Sequence, residues 1–280
     1  MPHTWIDGVA AHEVPADDRG LNYADGAFET LHCTDGKIAC RDLHQTRLGV
    51  ALERLNFSAS GELAEQCFNE TEQLLTEAAH SGVVRLTLTR GSGPRGYAPI
   101  DATRPRWILM AQDFPPRNHQ PLHCGVAQVH WADQPQLAGL KLLARTEQVL
   151  AAGEARQQGW DDALMLDGQG RVISSSRANL FIARDGQFLT PSLERCGIAG
   201  TRRQLLLDTV LPALGHTVKV QDLTIDDVLN ADAVMLANTV MGITSVGSIA
   251  QQAFSEEGAE GLLRPLRRAL SQILTGQGQS

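Results

Sequence analysis

The segment that most limits the fold is Phe114-Pro115-Pro116-Arg117-Asn118-His119-Gln120-Pro121. Three prolines in eight residues remove backbone N–H donors and fix φ, so this stretch can continue neither a helix nor an inner strand. We place a boundary there. A smaller N-terminal domain takes residues 1–116, a linker 117–121, and a larger C-terminal domain 122–280. A chain of 280 residues with 42% hydrophobic content can bury a sizeable core on each side of such a boundary.

Local patterns on both sides mix strands and helices. Thr4–Ile6 reads as a short strand ending at Asp7-Gly8. Ala27–Cys33 and Lys37–Cys40 flank Thr34-Asp35-Gly36, a hairpin signal. Apolar residues at helical spacing mark 43–55, and 62–79 reads as a second helix. Strands are expected at 83–89, 107–111 and 124–129, and a helix at 146–158. Two further hairpins form around Asp167-Gly168 and Asp185-Gly186. A helix at 201–214, strands at 218–220 and 233–237, and an amphipathic helix at 261–274 complete the chain. Hairpins beside helices, rather than strict strand–helix alternation, predict an α+β fold.

Charge narrows the function. The net charge is −8 and no basic tract is present, which argues against nucleic acid or an acidic membrane surface as partner. No apolar run reaches spanning length, and Met1–Gly8 lacks the regions of a secretory signal. Five scattered cysteines form no CxxC pair, and the nine histidines form no HxH or HExxH pattern. Neither a disulfide framework nor a metal site is expected, and a cytoplasmic location fits. His119 and His123, near Pro121, read as surface residues. The loop Gly91-Ser92-Gly93-Pro94-Arg95-Gly96 lacks the GKS/T ending of a nucleotide loop. Ser174-Ser175-Ser176 lacks a GxSxG elbow.

Lysine is scarce: only Lys37, Lys141 and Lys219 among 24 basic residues. Lys37 follows a turn, and Lys219 lies on an alternating strand. Lys141 sits in Leu137-Ala138-Gly139-Leu140-Lys141-Leu142-Leu143-Ala144, with no other charge from Gln134 to Ala144. Loss of hydration favours the free amine, which is the form that attacks an aldehyde. A lysine snorkelling from the edge of an apolar segment is the other reading of these residues alone.

Seven segments, in order, resemble the fold-type IV pyridoxal-phosphate enzymes. They are Asp18-Arg19-Gly20 running to Asp25-Gly26-Ala27-Phe28-Glu29-Thr30; His44-Gln45-Thr46-Arg47-Leu48; Arg90-Gly91 to Gly96-Tyr97; Leu137 to Lys141 with Arg145-Thr146-Glu147-Gln148-Val149-Leu150; Ala178-Asn179-Leu180-Phe181; Cys196-Gly197 to Arg202-Arg203; and Ala237-Asn238-Thr239 to Ile243. The family includes branched-chain and D-amino-acid aminotransferases and aminodeoxychorismate lyases. The lysine segment and the Arg-Gly-Tyr loop are most similar to the lyase branch.

The resemblance implies two α+β domains with pyridoxal 5'-phosphate in the cleft between them, and a homodimer. It implies that Lys141 is the Schiff-base lysine and proton carrier, and that Arg47 binds the cofactor phosphate. Gly200, Thr201 and Arg202 open a predicted helix whose N–H groups could cradle that phosphate, with Asn238 and Thr239 beside it. Tyr23, Phe28, Arg95 and Tyr97 are the implied substrate contacts, and an arginine clamp would suit a dicarboxylate. The implied reaction is loss of pyruvate from 4-amino-4-deoxychorismate, giving 4-aminobenzoate for folate biosynthesis. The alternatives are a branched-chain or D-amino-acid aminotransferase and a non-catalytic homologue.

The sequence departs from the pattern in three places. The family's glutamate facing the pyridine nitrogen is replaced by Ser174, with no carboxylate between Asp167 and Asp185. The usual His and Asn after the lysine are Leu142 and Ala144. A serine makes the ring a weaker electron sink than a carboxylate does. That loss weighs more on transamination than on an elimination driven by aromatisation.

Overall fold

The computed structural model describes residues 3–100, 104–116 and 120–274. They fall into two compact units: 1–116 with 140–144, and 117–139 with 145–280.

The first unit is built on a six-stranded antiparallel sheet. Across it lie Val9–Ala10, His3–Ile6, Arg106–Gln112, Gly82–Thr89, Gly26–Thr34 and Lys37–Ile38. Alternation along Gly26–Thr34 sends Ala27, Leu31 and Cys33 into a core with Leu48 and Leu52 of the helix Arg41–Arg54 and Phe68 and Leu75 of the helix Ser60–Glu77. Glu29 lies on that same buried face, a charge among apolar neighbours.

Chain order assigned Lys141 to the C-terminal domain, but Leu140–Ala144 pack with the first unit. The cause is main-chain pairing. Leu142 bridges Ala27, the Phe28 N–H donates to the Lys141 carbonyl at 3.0 Å, and the Leu143 N–H donates to the Gly26 carbonyl at 3.1 Å. Gly26 permits this approach, since a Cβ there would stand 2.1 Å from the Leu88 carbonyl oxygen and 3.0 Å from Leu143 Cδ1. Of the proposed linker, Arg117, Asn118 and His119 lie outside the described residues.

In the second unit, six strands close on themselves. Asn179–Arg184 pairs Ala233–Asn238, then follow Gly242–Ile249, Leu122–Val126, Asp162–Leu166 and Val172–Ser175, which returns to Asn179–Arg184. Closure removes exposed edges from the ring. Leu122, Leu164, Leu180, Leu236 and Val246 contribute to a core associated with it. Ser174 and Asn179 are the paired residues at the closing point. Gly242–Ile249 was not expected as a strand. Its two glycines and three serine or threonine residues hide the alternation.

Helix Thr201–Leu205 continues through a π turn, Leu206–Val210, into Leu211–Ala213. The last helix begins at Glu256, not at residue 261, and carries Pro265 inside it. No described helix is long and apolar enough to cross a membrane.

Candidate active site

In the first unit, Lys141 is half-buried, with its Nζ 4.3 Å from the centre of the Phe28 ring. Phe28 is itself buried and also carries the Arg85 guanidinium, 3.8 Å from the ring centre. An aromatic face can stabilise a nearby cation without neutralising it. Lys141 and Phe28, both predicted site residues, are thus brought together by the pairing of their backbones.

Arg47 is committed to a carboxylate. Its Nε donates to Glu29 Oε1 at 2.8 Å and its Nη2 to Oε2 at 2.5 Å. His44 Nδ1 stands 2.7 Å from the same Oε2. Burial by itself would raise the Glu29 pKa, but Arg47, followed by His44, outweighs burial and holds it at about 2. Glu29 is therefore ionised and fixes the direction of Arg47. The period-two pattern of Gly26–Thr34 already placed Glu29 on the buried face, so this partner was findable from sequence.

The Arg-Gly-Tyr loop is held from beneath. Arg19, 2% exposed, donates through Nε to Asp25 (2.8 Å), through Nη1 to the Gly96 carbonyl (2.9 Å) and through Nη2 to the Tyr97 carbonyl (2.7 Å). Arg90 donates to the same Asp25 oxygen and to the carbonyls of Leu55 and Asn56. The Tyr23 hydroxyl accepts from the Gly96 N–H at 3.0 Å, and its ring meets Tyr97 edge-on. Tyr97 and Arg95 remain exposed. Sequence reasoning named the loop but missed Arg19 and Asp25 as its supports.

In the second unit, the Gly139 main chain, two residues before Lys141, is bonded to the segment leading into Gly200. Gly139 N–H donates to Gly197 O at 3.0 Å, and Ala199 N–H donates to Gly139 O at 2.9 Å. Gly200 is the N-cap of the helix at Thr201, with no side-chain cap. A Cβ at Gly200 would meet Asn179 Oδ1 at 2.1 Å. Thr201 and Arg202 are buried. Asn238 shapes a turn: its Oδ1 accepts from the N–H groups of Val240 and Met241, and its Nδ2 donates to Arg177 O. Thr239, half-buried, occupies that turn.

Ser174 is 4% exposed. Its hydroxyl donates to the Ser175 carbonyl at 2.8 Å and accepts from the Trp131 indole N–H at 3.1 Å. Trp131 was not anticipated, because no periodicity links residue 131 to residue 174.

These features define a class. The chain belongs to the class IV aminotransferase family, whose model matches residues 26–249. Pyridoxal phosphate is its cofactor. The chain is 31% identical to an aminodeoxychorismate lyase from Vibrio harveyi, over 88% of this chain and 90% of that one. A crystal structure of 4-amino-4-deoxychorismate lyase from Pseudomonas aeruginosa superposes with a TM-score of 0.87 at 35% identity, covering 95% of this chain and 99% of that one. The Escherichia coli branched-chain amino acid aminotransferase, at 20% identity and a TM-score of 0.87, shares the fold, covering 99% of this chain and 96% of that one.

The residues present fit the cofactor. An uncapped helix N-terminus begins at a glycine that no larger residue could replace without displacing Asn179, as a phosphate cradle requires. Lys141, half-buried, carries an amine of the kind the cofactor's aldehyde needs. At Ser174, the position expected to meet the ring nitrogen, the side chain is a hydroxyl bonded to Trp131 and Ser175 and not a carboxylate.

Proposed function

We propose that this chain is an aminodeoxychorismate lyase, releasing pyruvate from 4-amino-4-deoxychorismate to leave 4-aminobenzoate. What carries the reading is that two relatives above 30% identity over most of this chain, one matched by sequence and one by structure, both bear that activity in their names. Ser174 supports it. A neutral hydroxyl bonded to Trp131 and Ser175 cannot offer the full counter-charge that transamination exploits.

In this reading Lys141 anchors the cofactor. Gly200, Thr201, Arg202 and Thr239 hold its phosphate, Arg47 (kept in place by Glu29) adds positive charge, and Asn238 sets the turn that presents Thr239. Ser174 faces the ring nitrogen. When bound, pyridoxal phosphate withdraws electrons from the substrate carbon that bears nitrogen. The Lys141 amine takes the proton from that carbon. The C–O bond to the enolpyruvyl group breaks, the ring becomes aromatic, and the departing group gains a proton and leaves as pyruvate. Arg95, Tyr97, Tyr23 and Phe28 orient the substrate, with Arg95 suited to a carboxylate. The protein acts as a homodimer in the cytoplasm.

Purified protein incubated with pyridoxal phosphate should absorb above 400 nm, and borohydride should leave a stable cofactor adduct on Lys141. Pyruvate should appear when 4-amino-4-deoxychorismate is added. Amino transfer to a 2-oxo acid without pyruvate release would replace the lyase with an aminotransferase.

A further inference from the structure

Ser174 is one link in a chain of groups, none of which carries negative charge. The Trp131 indole N–H donates to its oxygen at 3.1 Å, and the Arg145 guanidinium stands 5.6 Å from the centre of a Trp131 ring. Arg145 Nε and Nη1 are buried and have no hydrogen-bond partner, so no carboxylate neutralises this cation by direct contact. Buried donors left unpaired are costly and call for a functional explanation.

Among the carboxylates on the adjoining segments, Glu147 acts on Arg145 through space without bonding to it, and the others are engaged elsewhere. Asp167, whose backbone bridges Trp131, accepts from Arg171 and from the N–H groups of Gln169 and Arg171. Asp162 accepts from Ser176 and Arg177. Glu147 accepts from the Ala132 N–H, and Asp133 from Arg195. The other neighbours of Ser174 along its strand pairs, Met165 and Asn179, are uncharged. Donation from Trp131 also makes the Ser174 oxygen a poorer acceptor and its hydroxyl a better donor.

We infer that Trp131 and Arg145 are positioning residues that make Ser174 a hydrogen-bond donor, so that the cofactor's ring nitrogen is held unprotonated. This rests on the reading above that Ser174 faces that nitrogen. A protonated ring would bring a second cation to a site whose guanidinium has no directly bonded carboxylate and is offset by Glu147 only through space. A neutral nitrogen takes the Ser174 proton, which then turns away from the Ser175 carbonyl, and brings no second charge. The consequence is specificity for eliminations, which need less electron withdrawal, over transamination.

The test is nitrogen NMR on the holoenzyme loaded with cofactor labelled with 15N in the pyridine ring. The expected resonance lies in the unprotonated range throughout pH 6–9. Ser174→Glu should move it to the protonated range. Trp131→Phe and Arg145→Gln, which keep the serine, should each raise the pH at which the nitrogen protonates by a measurable fraction of a unit or more, while the borohydride adduct at Lys141 persists. A protonated resonance in the wild-type protein overturns the inference, and so does an unchanged titration in both Trp131→Phe and Arg145→Gln. If no adduct forms at Lys141 at all, the enzymatic reading falls and the inference with it.

Discussion

The surroundings of Lys141 and of Ser174 are built on opposite electrostatic plans. In the unit that holds Lys141, three largely buried carboxylates are each paired with more than one donor. Glu29 holds Arg47 and His44, Asp25 holds Arg19 and Arg90, and Asp18 holds Arg106 and accepts from Thr89. Around Ser174 a hydroxyl, an indole and carbonyls make the contacts, and a buried guanidinium goes without a hydrogen-bond partner at two of its nitrogens. The difference shows what charge is for in each place. In the first unit, paired charges fix the directions of arginines, because a bidentate pair with a carboxylate tolerates little rotation. In the second, the absence of a carboxylate leaves the polarity of the site to neutral hydrogen bonds, which orient without supplying counter-charge.

The comparison can be broken at four points. The largest effect is expected for Lys141→Ala, which should lower turnover by roughly 10²–10⁴-fold while leaving the circular dichroism spectrum native. Retained pyruvate release would remove the lysine from the chemistry. Next is Glu29→Gln, which strands Arg47 in a buried setting and should cost about 3–5 kcal/mol in denaturant unfolding. The sign with pH follows from a folded pKa of about 2 against 4.5 for an ordinary glutamate. The contribution of Glu29 is complete above about pH 4.5 and is lost as pH falls toward 2. The gap in stability between wild type and variant should therefore narrow over that window, and a gap independent of pH there would mean that the ion pair is not the cause.

A smaller effect is expected at Arg19. Arg19→Met leaves the Gly96 and Tyr97 carbonyls without their donors. It should speed hydrogen exchange of 91–97 selectively and raise KM more than it lowers kcat. Uniform loosening of the whole first unit would make Arg19 a general support instead. The smallest is Gly200→Ala. Its methyl must push Asn179 aside, at about 1–3 kcal/mol, so the apoenzyme should melt several degrees lower and cofactor affinity should fall. Unchanged affinity would show that the turn at Gly200 does not hold the phosphate.

Much of this arrangement was readable in advance. The Asp35-Gly36, Asp167-Gly168 and Asp185-Gly186 turns sit where the structure turns its hairpins. Lys141 was singled out by its uncharged neighbours. The helix opening at Thr201 was legible because an apolar period follows a glycine. Trp131 beside Ser174, Arg19 beneath residues 96 and 97, and Arg145 over Trp131 were not legible. Each joins positions 14 to 78 residues apart through side chains whose direction no local pattern encodes.

The sequence by itself determined most of the strands, helices and turns, though not the strand Gly242–Ile249, and the order of motifs that marks the family. These depend on periodicity, on turn chemistry and on residue types held close along the chain. Only the tertiary structure decided which unit receives the Lys141 segment, which carboxylates are already occupied, and which groups surround the serine at 174. Those outcomes depend on backbone pairing and burial between distant segments, where a hydrogen bond is made or lost according to three-dimensional proximity.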